Sequence, residues 1–138
     1  MQTKLTLGYL GFLPFAGLTI LPWILGESYE KISFQLLVVY GGIIISFLSG
    51  IIWGINTANQ KNLTISIIFS LLGFGAILMA WINLIFAMSL LFFLFYLFYL
   101  FESKTNPQFS DSDYSKLRKN LTSGVCGCYM FSIVILIY

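Results

Sequence analysis

Histidine does not occur in the 138 residues, and only 9% of them are charged. Without imidazole the chain lacks the commonest ligand for haem, zinc or copper and the usual proton shuttle near neutral pH. An ordinary soluble domain carries about a quarter charged residues, so the charge deficit excludes that class. The two cysteines, Cys126 and Cys128, stand two positions apart in an apolar run. On a helix they point to different sides, which disfavours a mutual disulfide, and no third soft ligand is placed to complete a metal site. They read as small packing residues. A net charge of +2 gives no footprint for nucleic acid.

The placement of the charges carries a second exclusion. Every Asp, Glu, Lys and Arg is expected in a loop or at a helix end, including Glu102 and Lys104, read as a solvated helix end. Charge buried deep in a membrane marks ion paths and proton relays, and its expected absence argues against a proton-coupled pump or an acid–base enzyme. No nucleophile stands with a base. We therefore expect no enzyme, no catalytic residue, no metal ligand and no cofactor-binding residue.

What the chain has in quantity is apolar length, with 59% hydrophobic residues. About 20 residues at 1.5 Å each cross a hydrocarbon core of roughly 30 Å. The expected fold is an all-α integral membrane protein, one bundle of about five transmembrane helices at residues 5–25, 32–56, 63–80, 84–101 and 117–138, with a polar inner loop at 102–116. The uncharged run from Leu63 to Phe101 is close to twice a bilayer core, so it must fold back, and Ala80 to Asn83 is the expected turn. In the first span, Pro14 removes a backbone donor, and neighbouring helices are expected to satisfy the freed carbonyl. The aromatic run Phe92 to Phe101 is expected to face lipid or a larger partner.

One stretch has a strict spacing. In YGGIIISFLSGIIWG, Gly42, Ser46, Gly50 and Gly54 recur every fourth residue with Ser49 beside them, a small-residue row of the kind that lets helix backbones approach in lipid. Ser66, Ser70 and Gly73 form a second row on the third span. These eight residues are the expected helix-packing interface. Trp53, Lys116, Arg118 and Lys119 are the expected contacts to lipid, including anionic headgroups, or to a partner. Asn56, beside Trp53, is a further interfacial candidate.

Lys4, Lys61, Lys104, Lys116, Arg118 and Lys119 share one side of such a bundle and Lys31 lies on the other. The positive-inside rule then places the N-terminus inside and the C-terminus outside. Trp23, Trp81 and Tyr138 fall near the outer boundary. The lack of an Arg-rich leader favours a bacterial inner membrane, with the mitochondrial inner membrane as the alternative.

LGYLGFLPF (Leu7 to Phe15), the central YGGIIISFLSGIIWG and YSKLRKNLT (Tyr114 to Thr122) resemble the family of transmembrane protein sixty-nine, small multi-helix proteins of bacteria and mitochondria of unknown function. The resemblance runs through nearly the whole chain. That family commonly has Arg or His immediately before the tryptophan, where this chain has Ile52, and glycine where it has Ser49. The resemblance implies the fold and an energy-transducing membrane, and no activity. The expected function is a non-catalytic accessory subunit or assembly factor of a larger energy-converting, respiratory-type complex, with larger membrane subunits as partners. The alternative is a small homo-oligomeric channel, carrier or lipid-binding protein, in which Ser46, Ser49, Ser66, Ser70 and Asn83 line a polar path.

Overall fold

The computed structural model of the chain describes residues 2–54 and 60–137. Five helices make up almost all of it: α1 (Gln2–Leu25), α2 (Glu30–Trp53), α3 (Gln60–Met79), α4 (Leu84–Thr105) and α5 (Ser112–Ile137), with short 3-10 turns at Glu27–Tyr29 and Pro107–Ser110. All five are long and apolar enough to cross a membrane. The protein is an all-α bundle of membrane-spanning helices. Residues 55–59, which include Asn56 and the expected end of the second span, and Tyr138 lie outside the described residues.

Several helices outrun the spans read from the sequence. α4 continues to Thr105 rather than Phe101, and α5 begins at Ser112 rather than Leu117, so most of the expected polar loop at 102–116 is helical. A hydropathy reading stops at the first charge, whereas a helix continues while its backbone bonds close. The turn after α3 lies at the expected residues: α3 ends at Met79, and the Asn83 side chain accepts from the Phe86 N–H at 3.1 Å to cap α4. That bond satisfies one of the donors a helix start leaves open.

Two prolines lie inside α1 without ending it. A helical proline deprives the carbonyl four residues earlier of its donor, and in lipid such a carbonyl needs a replacement. For Pro22 that carbonyl is Leu18, and the Ser33 hydroxyl of α2 donates to it at 2.6 Å. For Pro14 it is Leu10. There the Tyr40 hydroxyl donates at 2.8 Å to Gly11, the next carbonyl along. Both bonds tie α1 to α2.

α2 packs on α1, α3 and α4, while α5 packs on α1 and α4 and α3 packs on α4. α1, α2, α4 and α5 thus close a ring, and α3 caps the α2–α4 side. The starts of α1, α3 and α5 share one end, the basic end, where the Tyr9 hydroxyl meets the Asn120 amide at 3.2 Å.

The aromatic fourth helix is not the lipid-facing element expected. Leu91, Leu94, Phe95 and Phe98 are buried in the core with Phe15, Phe34 and Tyr129. Phe15 stacks on Tyr40 with centroids 4.8 Å apart and meets Phe95 edge-on at 5.9 Å. Phe93, Tyr96 and Leu97 take the exposed face.

Glycines set how closely these helices approach. A Cβ on Gly41 would collide with the Tyr129 hydroxyl, which crosses from α5 to donate to the Leu37 carbonyl at 2.9 Å. One on Gly124 would stand 2.7 Å from the Phe12 ring.

Candidate functional site

The basic end holds a polar cluster that links α4 to α5. Glu102 lies in the last turn of α4 and Asn106 is the residue that follows the helix, while on α5 Tyr114 and Arg118 are four apart. Helical residues at that spacing lie on one face, so the short turn between α4 and α5 brings Tyr114 and Arg118 to Glu102 and Asn106. Arg118 Nε donates to Glu102 Oε1 at 2.7 Å. The Tyr114 hydroxyl donates to Oε2 at 3.0 Å, and the Asn106 amide donates to the same oxygen at 3.3 Å. Asn106 also caps the end of α4, its backbone N–H bonding the Glu102 carbonyl at 2.8 Å. Glu102 is fully buried and Arg118 is 6% exposed.

This arrangement corrects two expectations. Glu102 is not a solvated helix end, and Arg118 does not stand with Lys116 and Lys119 as a surface contact. Those two lysines are exposed, but Arg118 turns inward. The physical reason is mutual: each charge supplies the counter-charge without which burial costs several kcal/mol or more, and Tyr114 and Asn106 complete the carboxylate's hydrogen bonds. The signal was present in the two four-residue spacings flanking Pro107.

Beside the cluster, a cavity of about 490 Å³ lies among α1, α2, α4 and α5. Phe12, Phe15 and Phe95 are among its apolar walls, and Leu7 and Phe47 lie at its rim, 62% and 66% exposed. Tyr114, Arg118 and Thr122 are the polar side chains in its lining. Arg118 Nη2 and Thr122 Oγ1 are buried and find no hydrogen-bond partner among the described residues. Sequence reasoning missed Thr122, since nothing local distinguishes it from the back-bonded hydroxyls of Thr19, Ser49 and Ser132.

The small-residue rows divide into a closed half and an open half. Gly42 and Gly73 face each other, a Cβ on Gly42 standing 3.0 Å from the Gly73 carbonyl and 2.5 Å from Ile77. One turn on, the Ser70 hydroxyl donates to that of Ser46 at 3.2 Å. Beyond that the row opens. A Cβ on Gly50 would meet no described atom within 4 Å, and Gly54 merely ends α2. A groove of about 210 Å³ remains there, with Ser49, Gly50, Trp53 and Ser66 in its lining. Ser49 and Ser66 donate to carbonyls of their own helices, Ile45 and Leu63. Trp53 is 54% exposed.

Comparison with family models decides the chain's kinship. It belongs to the family described as "Protein of unknown function (DUF3429)", whose model matches residues 1–134. Neither a curated protein nor a solved structure matches it. In this family member the Glu102–Arg118 pair, the cavity and the groove all fall within the matched residues. Cys126 and Cys128 are both free and half-buried, with Cys126 Sγ 3.6 Å from the Phe92 carbonyl.

Proposed function

We propose that this chain is a non-catalytic accessory subunit or assembly factor of a larger energy-converting membrane complex. The observation that carries the reading is the open half of the α2–α3 row. Ser46, Gly50, Ser66 and Ser70 form a shallow groove of small residues on the outside of the bundle, and no described atom lies within 4 Å of a Cβ added at Gly50. Small residues in lipid favour close backbone approach, and here no described helix of the chain takes up that approach. A helix from another subunit fits the groove, with Trp53 beside it. The resemblance to the transmembrane protein sixty-nine family supports the energy-transducing membrane, bacterial inner or mitochondrial inner. The basic end supports an orientation with the N-terminus inside.

The test is purification of the full chain from its native membrane in mild detergent. It is expected to migrate with much larger subunits on native gels. Gly50→Leu, which fills the groove, is expected to release it without lowering its own thermal stability. A chain that runs only as a free monomer overturns the reading. A species of twice the chain's mass, lost in the same variant, would instead show a homodimer. The lipid-binding form of the alternative is favoured by a separate observation, the larger cavity.

A further inference from the structure

We infer that the cavity among α1, α2, α4 and α5 binds one amphipathic lipid whose head presents carbonyl oxygens as hydrogen-bond acceptors on an apolar tail. Its volume of about 490 Å³ falls within the roughly 300–1,000 Å³ of small-molecule pockets, which are mostly apolar with a few placed polar groups. The placed groups here are Arg118 and Thr122, each 6% exposed. Each carries a buried donor with no partner among the described residues, Nη2 and Oγ1. Buried polar groups are almost always paired, and an unmet donor is costly. Both residues line the cavity while their unmet donors lie just beneath its surface, and two such donors point to a ligand that supplies acceptors as the side chains turn toward it.

Spacing and charge narrow the head group. Arg118 and Thr122 are one helical turn apart on α5, with Cβ atoms about 5–6 Å apart at that spacing, so one head with two oxygens can serve both. Glu102 already holds Arg118 through Nε. The site therefore presents donors without an uncompensated positive charge, which suits a neutral ester or quinone carbonyl oxygen better than an anion. The tail has a path as well. Leu7 on α1 and Phe47 on α2 line the cavity while remaining largely exposed, so the cavity opens between those helices toward the membrane.

The ester carbonyls of a phospholipid and the ring carbonyls of an isoprenoid quinone share this chemistry, and the experiment separates them. The full chain is purified in mild detergent, examined by native mass spectrometry, and its solvent extract assayed for phosphorus and for quinone absorbance. One retained molecule per chain is expected. Delipidated protein is then titrated separately with phosphatidylglycerol and with a short-chain ubiquinone, and saturable binding of one or both is expected. Thr122→Val keeps the shape and removes a donor, and it should weaken binding about 5–10-fold. Gly11→Leu grows into the cavity, where a Cβ has only the Tyr40 hydroxyl at 4.0 Å, and should abolish saturable binding. Equal binding by the native chain and both variants overturns the inference, as does equally tight binding of an alkyl chain without acceptor oxygens. No saturable binding of either probe by the native chain also overturns it. If Gly11→Leu does not fold, Thr122→Val and the headless chain still decide.

Discussion

Arg118 Nε and Glu102 Oε1 lie 2.7 Å apart across the α4–α5 contact, joining charges sixteen residues apart in the chain. The pair is buried, so its two ends depend on each other. Removing one partner of such a pair leaves an uncompensated charge and costs about 3–5 kcal/mol, whereas replacing both with apolar groups of similar volume is often neutral. Glu102→Met and Arg118→Met are each expected to lower the unfolding temperature in detergent strongly. The double variant should recover most of the loss. Additive losses in the double variant would show that the two side chains act separately.

The overlap of Tyr129 with the space above Gly41 leads to a second cycle. Gly41→Ala places a methyl group where the hydroxyl passes, and forced overpacking of this kind typically costs about 1–3 kcal/mol. Tyr129→Phe removes the hydroxyl and its bond to the Leu37 carbonyl, a loss of about 1 kcal/mol. The hydroxyl is the nearest atom, while Leu91 Cδ1 at 3.0 Å and the Tyr129 ring at 3.1 Å remain without it, so Gly41→Ala made in the Tyr129→Phe background should cost less than in the native chain. Chemical denaturation of all four proteins checks the non-additivity.

What could be read from the residues, and what could not, follows from the range of the interactions. The Asn83 turn was legible because an uncharged run twice as long as a bilayer must fold, and Asn is suited to the helix start that follows. The need for an outside donor was expected at Pro14, where Tyr40 serves the neighbouring Gly11 carbonyl; the donor to the carbonyl freed by Pro22, Ser33, was not legible, since it depends on the crossing of α1 and α2. Gly41 escaped notice beside the periodic row that begins at Gly42. Its neighbour Tyr129 is 88 positions away, and no local spacing connects them. Glu102 and Arg118 were misplaced by treating charge as a marker of water, a rule that fails where the counter-charge is built into the next helix. Phe95 and Phe98 were misplaced because a helix with aromatic residues on every side does not announce which face is turned inward.

Ser33 and Pro22 permit a sharper test of backbone satisfaction. Ser33→Ala leaves the Leu18 carbonyl without its donor and should cost about 0.5–1.5 kcal/mol. Pro22→Ala restores a backbone N–H to α1, which can then serve that carbonyl from within the helix. In the Pro22→Ala background, Ser33→Ala should therefore be close to neutral. Thermal unfolding of the two single variants and the double variant measures this, and an unchanged Ser33→Ala penalty would show that the hydroxyl matters for packing instead.

Gly42 and Gly50 belong to one row, but their surroundings require opposite responses to the same substitution. At Gly42 an added methyl group meets the Gly73 backbone as well as Ile77, and backbone cannot rotate away as a side chain does. Gly42→Ala should force α2 and α3 apart, costing about 1–3 kcal/mol and breaking the Ser46–Ser70 contact one turn on. At Gly50 nothing described stands within 4 Å, and alanine is the better helix former by about 1 kcal/mol. Gly50→Ala should leave the isolated chain as stable as before or slightly more so. Measured in detergent, the pair reports on the bundle alone, and measured in native membranes, any loss confined to Gly50→Ala reports on whatever helix occupies the groove. Equal effects at both positions in detergent would show that the row closes along its whole length, and the groove would lose its claim to a partner.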